Sequence, residues 1–135
     1  MNIEEALVEL NKRFVYKSDH KLFDNWKILY DRSQEYWIGD CEDYSLTLMW
    51  MVSGCNIIKF IWNIITHKHV IWYVNSPSGE GHAVVNINGM YYDNIQKRAT
   101  SKDQLVAMGY RFKLPFIFPI IFIKIIISLV IGIVR

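Results

Sequence analysis

At 135 residues the chain has the length of one domain, enough for a modest core and too little for a two-domain enzyme. Its formal net charge of +2, from 15 Lys+Arg against 13 Asp+Glu, excludes an electrostatic nucleic-acid surface, and no basic run is interleaved with aromatics. Two cysteines, Cys41 and Cys55, fall short of a disulfide framework and read as reduced thiols. Glu4 and Glu5 stand where a cleavable signal peptide would carry Lys or Arg, so no such leader is expected.

In chain order, Ile3, Leu7, Leu10 and Phe14 recur at helical spacing and predict an amphipathic helix over 3–14. Residues 15–40 are polar and aromatic without a sustained period, which predicts a loop-rich lead-in. A Leu46, Met49, Trp50 stripe predicts a helix from about Glu42 to Val52, stopped at Ser53-Gly54, with Cys41 in its first turn. The stretch "IIKFIWNIIT" (57–66) is too apolar for an exposed helix; periodicity leaves a buried or membrane-facing helix and a strand both open. "HVIWYV" (69–74) predicts a strand, and "HAVVNI-NG-MYYDNI" predicts a hairpin around Asn88-Gly89.

The 21 residues from Leu114 to Val134 would rise about 31 Å as a helix, close to a bilayer's hydrocarbon thickness. Sixteen Ile, Leu, Phe and Val residues outweigh the cost of Lys124 at the midpoint. Pro115 and Pro119 would fall in the first turns, where proline does least damage. The expected organisation is therefore a domain over 1–112 and a membrane anchor over 113–135. Lys97, Arg98, Lys102, Arg111 and Lys113 upstream place the domain on the cytosolic side. The alternatives are a buried core helix and an aggregation-prone tail of no function.

A cysteine at a helix start faces the positive end of the helix dipole, which is expected to lower its pKa. In the hairpin, an Asn88-Gly89 turn pairs Ile87 with Met90, Val85 with Tyr92, Val84 with Asp93 and His82 with Ile95. Strand alternation then puts His82 and Asp93 on one face as diagonal neighbours, about 7 to 8 Å apart and within reach of each other's side chains. Cys41, His82 and Asp93 thus have the composition of a nucleophile, its base and the group that orients the base.

"GDCEDYSLTL" followed by "GEGHAVVNINGMYYDN" resembles the bacterial transglutaminase-like cysteine proteinases. Their pattern joins a GDCEDYA-type helix start, a GHAVL-type strand and a downstream Asp-Asn. With "NKRFVYKSD" and Trp26 the resemblance covers about residues 10–96. It implies an α+β, papain-like or transglutaminase-like core, a nucleophile helix packed on an antiparallel sheet, and a catalytic triad of Cys41, His82 and Asp93. It also implies a protein or peptide substrate. Ser45, where Ala is common, is a mild departure; "IIKFIWNIITHKH" and the C-terminal segment are larger ones. Short chains of this kind look like phage and prophage proteins.

For the oxyanion, the Cys41 backbone N–H and the Gln34 side chain are the candidates. Asp40 is an expected N-cap, with Glu42 and Asp43 favourable in the first turn. Asp40 and Glu42 also match calcium-binding positions of some family members, although two carboxylates leave most of a calcium shell unfilled. His67 and His69 lack a third ligand for zinc. Tyr36 and Trp37 are expected in the cleft or core, Cys55 in a structural role, and His20 in a polar loop. The functional expectation is a membrane-tethered cysteine peptidase or amide acyl transferase. The alternatives are a catalytically idle papain-like interaction protein and a membrane-active protein working through its tail.

Overall fold

The computed structural model describes residues 2–17, 26–116 and 120–126. Four helices and six strands follow one another as α1 (Ile3–Arg13), β1 (Phe14–Tyr16), β2 (Trp37–Gly39), α2 (Cys41–Val52), α3 (Ile57–Ile65), β3 (His69–Asn75), β4 (Gly81–Ile87), β5 (Met90–Tyr92), α4 (Lys102–Met108) and β6 (Arg111–Phe116). Residues 120–126 are also helical. The expected α+β class is observed. The lead-in is less loop-like than its composition suggested, because β1 and β2 pair in parallel, Phe14 opposite Trp37 and Tyr16 opposite Gly39. His20 lies outside the described residues.

The main sheet is antiparallel, in the order β5-β4-β3-β6. α2 lies between α1 and β4 as the central element. Tyr44, Leu48, Met49 and Met51 along it are fully buried, so it has no polar face of the usual kind. Each such side chain contributes roughly 1.5 to 3 kcal/mol relative to exposure. Alternation along β4 splits the core. Ala83, Val85 and Ile87 join α2 and α1 in one cluster, while Val84 joins Val74, Tyr91, Leu105 and Tyr110 in a second.

The hairpin has the expected register, Ile87 opposite Met90 and Val85 opposite Tyr92. Asn88 and Gly89 have φ of 52° and 93°, the positive pair that a type I′ turn requires. The ladder ends there, so the further pairs Val84 with Asp93 and His82 with Ile95 do not form; β5 stops at Tyr92. The ambiguous 57–66 stretch is a helix, capped by the Asn56 side chain, which accepts from the Ile58 and Lys59 N–H groups. It is not buried all round: Phe60 and Ile64 face the core while Ile58, Trp62 and Ile65 are exposed.

The helix expected from Leu114 does not begin there. Leu114, Pro115 and Phe116 belong to β6, paired with Tyr73, Trp72 and Ile71 of β3, so the sheet runs across the expected boundary at 112/113. β6 is an edge strand, where a proline's missing N–H costs no ladder bond if it faces outward. In the helical residues 120–126, Ile121 is fully buried in the main core, and Lys124 Nζ sits over the Trp26 and Phe116 rings at 5.5 and 5.7 Å. Among the described residues no single helix is long and apolar enough to cross a membrane. Pro119 and residues 127–135 of the expected span lie outside the described residues.

Candidate active site

The start of α2 is held by a reciprocal cap. Asp40 Oδ1 accepts from the Asp43 N–H at 3.1 Å, and Asp43 Oδ2 accepts from the Asp40 N–H at 3.2 Å. Asp43 Oδ1 also accepts from the Lys27 N–H, tying the chain near Trp26 to this turn. Gly39 is needed beside this cap because a Cβ there would come within 2.7 Å of Asp43 Oδ2 and 2.8 Å of Asp43 Cβ. The "GDCED" run is therefore a local device that fixes where α2 begins and hence where Cys41 points. Ser45 settles into the buried helix by donating to the Cys41 carbonyl at 3.0 Å.

Cys41 is buried in the same core cluster as Ala83 of β4, whose N–H acts to lower the pKa of the thiol. Ala83 is the neighbour of His82 in the chain. The thiol also donates to Glu42 Oε2 at 3.2 Å. Burial, then the Glu42 and Asp40 carboxylates, push the Cys41 thiol well up from its ordinary value. The sequence-based expectation of a lowered pKa is thereby reversed: desolvation and two nearby anions outweigh the helix dipole.

His82 Nε2 lies 3.0 Å from Asp93 Oδ2, with both side chains buried. This contact forms although the ladder stops short of Asp93, because the chain turns after Tyr92 and the Gln96 N–H donates to Asp93 Oδ1 at 2.7 Å. Tyr110 Oη donates to Asp93 Oδ2 at 2.7 Å and accepts from Gln96 Nε2. Burial pushes the Asp93 carboxyl up, but the hydrogen bonds from His82, Gln96 and Tyr110 outweigh it and hold the group below its ordinary value. Asp93 is therefore an anion facing Nε2, which leaves Nδ1 as the nitrogen free of this contact.

Two contributors escaped the sequence reading. Tyr110 follows the left-handed Gly109 (φ 107°) that ends α4, where its N–H donates to the Leu105 carbonyl. Asn11 of α1 accepts from Tyr44 Oη at 2.6 Å and donates to the Lys97 carbonyl at 2.9 Å, joining α2 to the turn after Asp93. Neither carries a local signal, since each acts on residues tens of positions away.

Gln34 is exposed in the approach to β2, its N–H donating to Asp31 and its carbonyl accepting from Arg13. Among the described residues no hydrogen bond joins its side chain to Cys41, and this oxyanion candidate is not brought to the thiol. The Cys41 N–H, in the first turn of α2, is oriented as helix N-terminal donors are. Trp37 is in the core and donates to the Asp31 carbonyl, while Tyr36 is exposed. Cys55 is free and exposed just past the helix stop rather than packed in a structural role.

Burial and the Asp40 carboxylate push Glu42 up to about 7, so Asp40 and Glu42 form a strained like-charge pair. Two carboxylates do not complete the six to eight oxygens of a calcium shell. No group of three or more His, Cys, Asp and Glu able to hold a metal occurs among the described residues. His69 is buried in β3 while His67 sits in the preceding turn, so the two do not share a strand face. A cleft of about 250 Å³ opens beside His82, lined by Tyr16, Ser76, Ser78, Glu80, Asn94 and Ile95 among others.

This architecture has a solved counterpart. The chain shares the fold of Legionella pneumophila LapG. LapG was solved in a calcium-bound form and has a transglutaminase-like cysteine protease fold; the match has a TM-score of 0.55 at 17% identity, covering 84% of this chain. The chain spans 60% of LapG's length. No protein-family model matches the chain, and no curated protein matches it.

Proposed function

We propose that the chain is a transglutaminase-like cysteine peptidase or amide acyl transferase with Cys41, His82 and Asp93 as its triad. The observation that carries this reading is a buried His82 whose Nε2 is committed to an anionic Asp93, next in the chain to Ala83 of the core cluster that holds Cys41. The LapG-like fold supports the same chemistry.

In this reading the Cys41 sulfur attacks the substrate carbonyl carbon as the thiol proton passes to His82. The C–N bond then breaks, the leaving amine takes that proton from His82, and an acyl-thioester remains on Cys41. Water or a second amine attacks the thioester, gives its proton to His82, and the proton returns to the departing sulfur. Asp93 holds the ring orientation and balances the imidazolium. Because the resting thiol is neutral and donates to Glu42, His82 acts as general base during attack rather than within a preformed ion pair. The Cys41 N–H, at the start of α2, serves as the candidate donor to the developing oxyanion. The substrate enters the cleft beside His82.

Cys55 is exposed and would react with the same reagents, so the test uses Cys55→Ser. Alkylation of Cys41 by iodoacetamide should be lost in Cys41→Ala and slowed by about 10²-fold or more in His82→Ala. An unchanged rate in His82→Ala, with native circular dichroism, overturns the reading.

A further inference from the structure

Independently of the triad, α3 carries a surface that the catalytic reading leaves unused. Ile58 is 76% exposed, Trp62 59% and Ile65 43%, spaced i, i+4 and i+7 on one face opposite the buried Phe60 and Ile64. Ile57, 56% exposed, extends the patch at the helix start. A contiguous exposed apolar face of this kind marks an interaction site rather than ordinary surface scatter. The charged side chains on the helix and in the turn after it are cationic, while Glu5 and Arg32 line the groove beside Cys55 at its start. Lys59 and Lys68 are exposed on α3 and in the turn after it, and the sequence contains no Asp or Glu between Asp43 and Glu80. An isologous contact with a second copy would bring these lysines together, whereas a surface of negative charge over hydrocarbon matches both features.

We propose that the outer face of α3 docks on anionic lipid, with Ile58, Trp62 and Ile65 entering the boundary of the acyl chains and Lys59 and Lys68 meeting the headgroup phosphates. Trp is suited to that depth, with an apolar body and one polar N–H. The helix lies in the interface and does not span the bilayer. The domain is thereby held with α3 against the membrane whatever the residues after 126 do.

The test uses the full chain with Cys41→Ala, so that the exposed Cys55, next to the α3 N-cap, alone carries an environment-sensitive fluorophore. Vesicles of phosphatidylcholine with phosphatidylglycerol should shift its emission to the blue, and vesicles of phosphatidylcholine alone should shift it much less. Ile58→Asp with Trp62→Asp should lose the shift while circular dichroism stays native. Should that pair fail to fold, Lys59→Glu with Lys68→Glu, both on the surface, should weaken the response to the anionic vesicles. Pelleting with vesicles without any shift at Cys55 would mean attachment elsewhere in the chain and overturn the proposal. So would equal shifts on neutral and anionic vesicles, or a lipid-free dimer in sedimentation velocity that Ile58→Asp with Trp62→Asp dissociates.

Discussion

Tyr110 Oη and His82 Nε2 converge on the same oxygen of Asp93, at 2.7 and 3.0 Å. The phenol is a neutral donor, its pKa raised by burial, so it supports the carboxylate without competing for its proton. Tyr110→Phe removes one donor to a charged acceptor and should cost about 1.5 to 3 kcal/mol of stability at pH 7. The held-down Asp93 pKa makes this stabilisation present above the unfolded carboxyl value of about 3.9 and lost as pH falls below it. Urea unfolding should therefore show a large difference between wild type and Tyr110→Phe at pH 7 and a much smaller one in acid. Equal differences at both would mean that the hydroxyl does not serve the charged carboxylate.

Asn11 bridges Tyr44 and Lys97, and through them the helix bearing Cys41 and the turn bearing Asp93. Asn11→Ala should slow Cys41 alkylation by about 10-fold while costing about 1 to 3 kcal/mol. Asn11→Asp keeps the acceptor for Tyr44 but loses the donor to Lys97, and its rate should fall between the two. If Asn11→Ala destabilises the fold without touching the alkylation rate, the bridge is structural only.

Glu42→Gln should lower the Cys41 pKa, since after burial the Glu42 carboxylate is the largest cause of its elevation, and should speed alkylation at neutral pH. The same change has a signature in stability. With Glu42 raised to about 7 against an unfolded value of about 4.3, the folded state binds more protons between those values, so stability falls as pH rises through that window. Glu42→Gln should flatten that fall, gaining on the order of 1 to 3 kcal/mol relative to wild type at pH 8 and little at pH 4. Thermal melts across the range would show it, and parallel curves for the two proteins would contradict it.

His69 slopes the other way. Burial, then Lys68, lowers it to about 4, and its Nδ1 is buried without a hydrogen-bond partner among the described residues. The unfolded chain protonates near 6.5, so this residue's penalty grows as pH falls from about 6.5 to about 4. His69→Leu should remove an acid-side loss of up to about 3 kcal/mol and add stability at pH 4.5 relative to pH 8. An unchanged pH dependence in chemical unfolding would show that His69 does not titrate in this way.

Much of the site is legible in the sequence because its signals are local. The Asn88-Gly89 turn sets the hairpin register by its positive φ values, and the Asp40 N-cap announces the start of α2 one residue before the cysteine. Where competing local signals balance, the sequence misleads or leaves the outcome open. The 57–66 stretch is a helix because Phe60 and Ile64 find the core, and periodicity could not say which side its other apolar residues would face. Leu114–Phe116 looked like the start of a long apolar helix, yet β3 offered an unpaired edge that three residues could satisfy.

The sequence by itself determined the hairpin and the capped start of α2, since each depends on residues a few positions apart, and its motifs carried the resemblance that implied the α+β class and the members of the candidate triad. Only the tertiary structure decided that Asp93 reaches His82 through a turn rather than a ladder pair, and that Tyr110 and Asn11 complete its setting. It also decided that Cys41 rests as a neutral thiol rather than a dipole-activated one. These depend on which distant groups share a dry interior, where desolvation and neighbouring charges outweigh the helix dipole that the sequence makes visible.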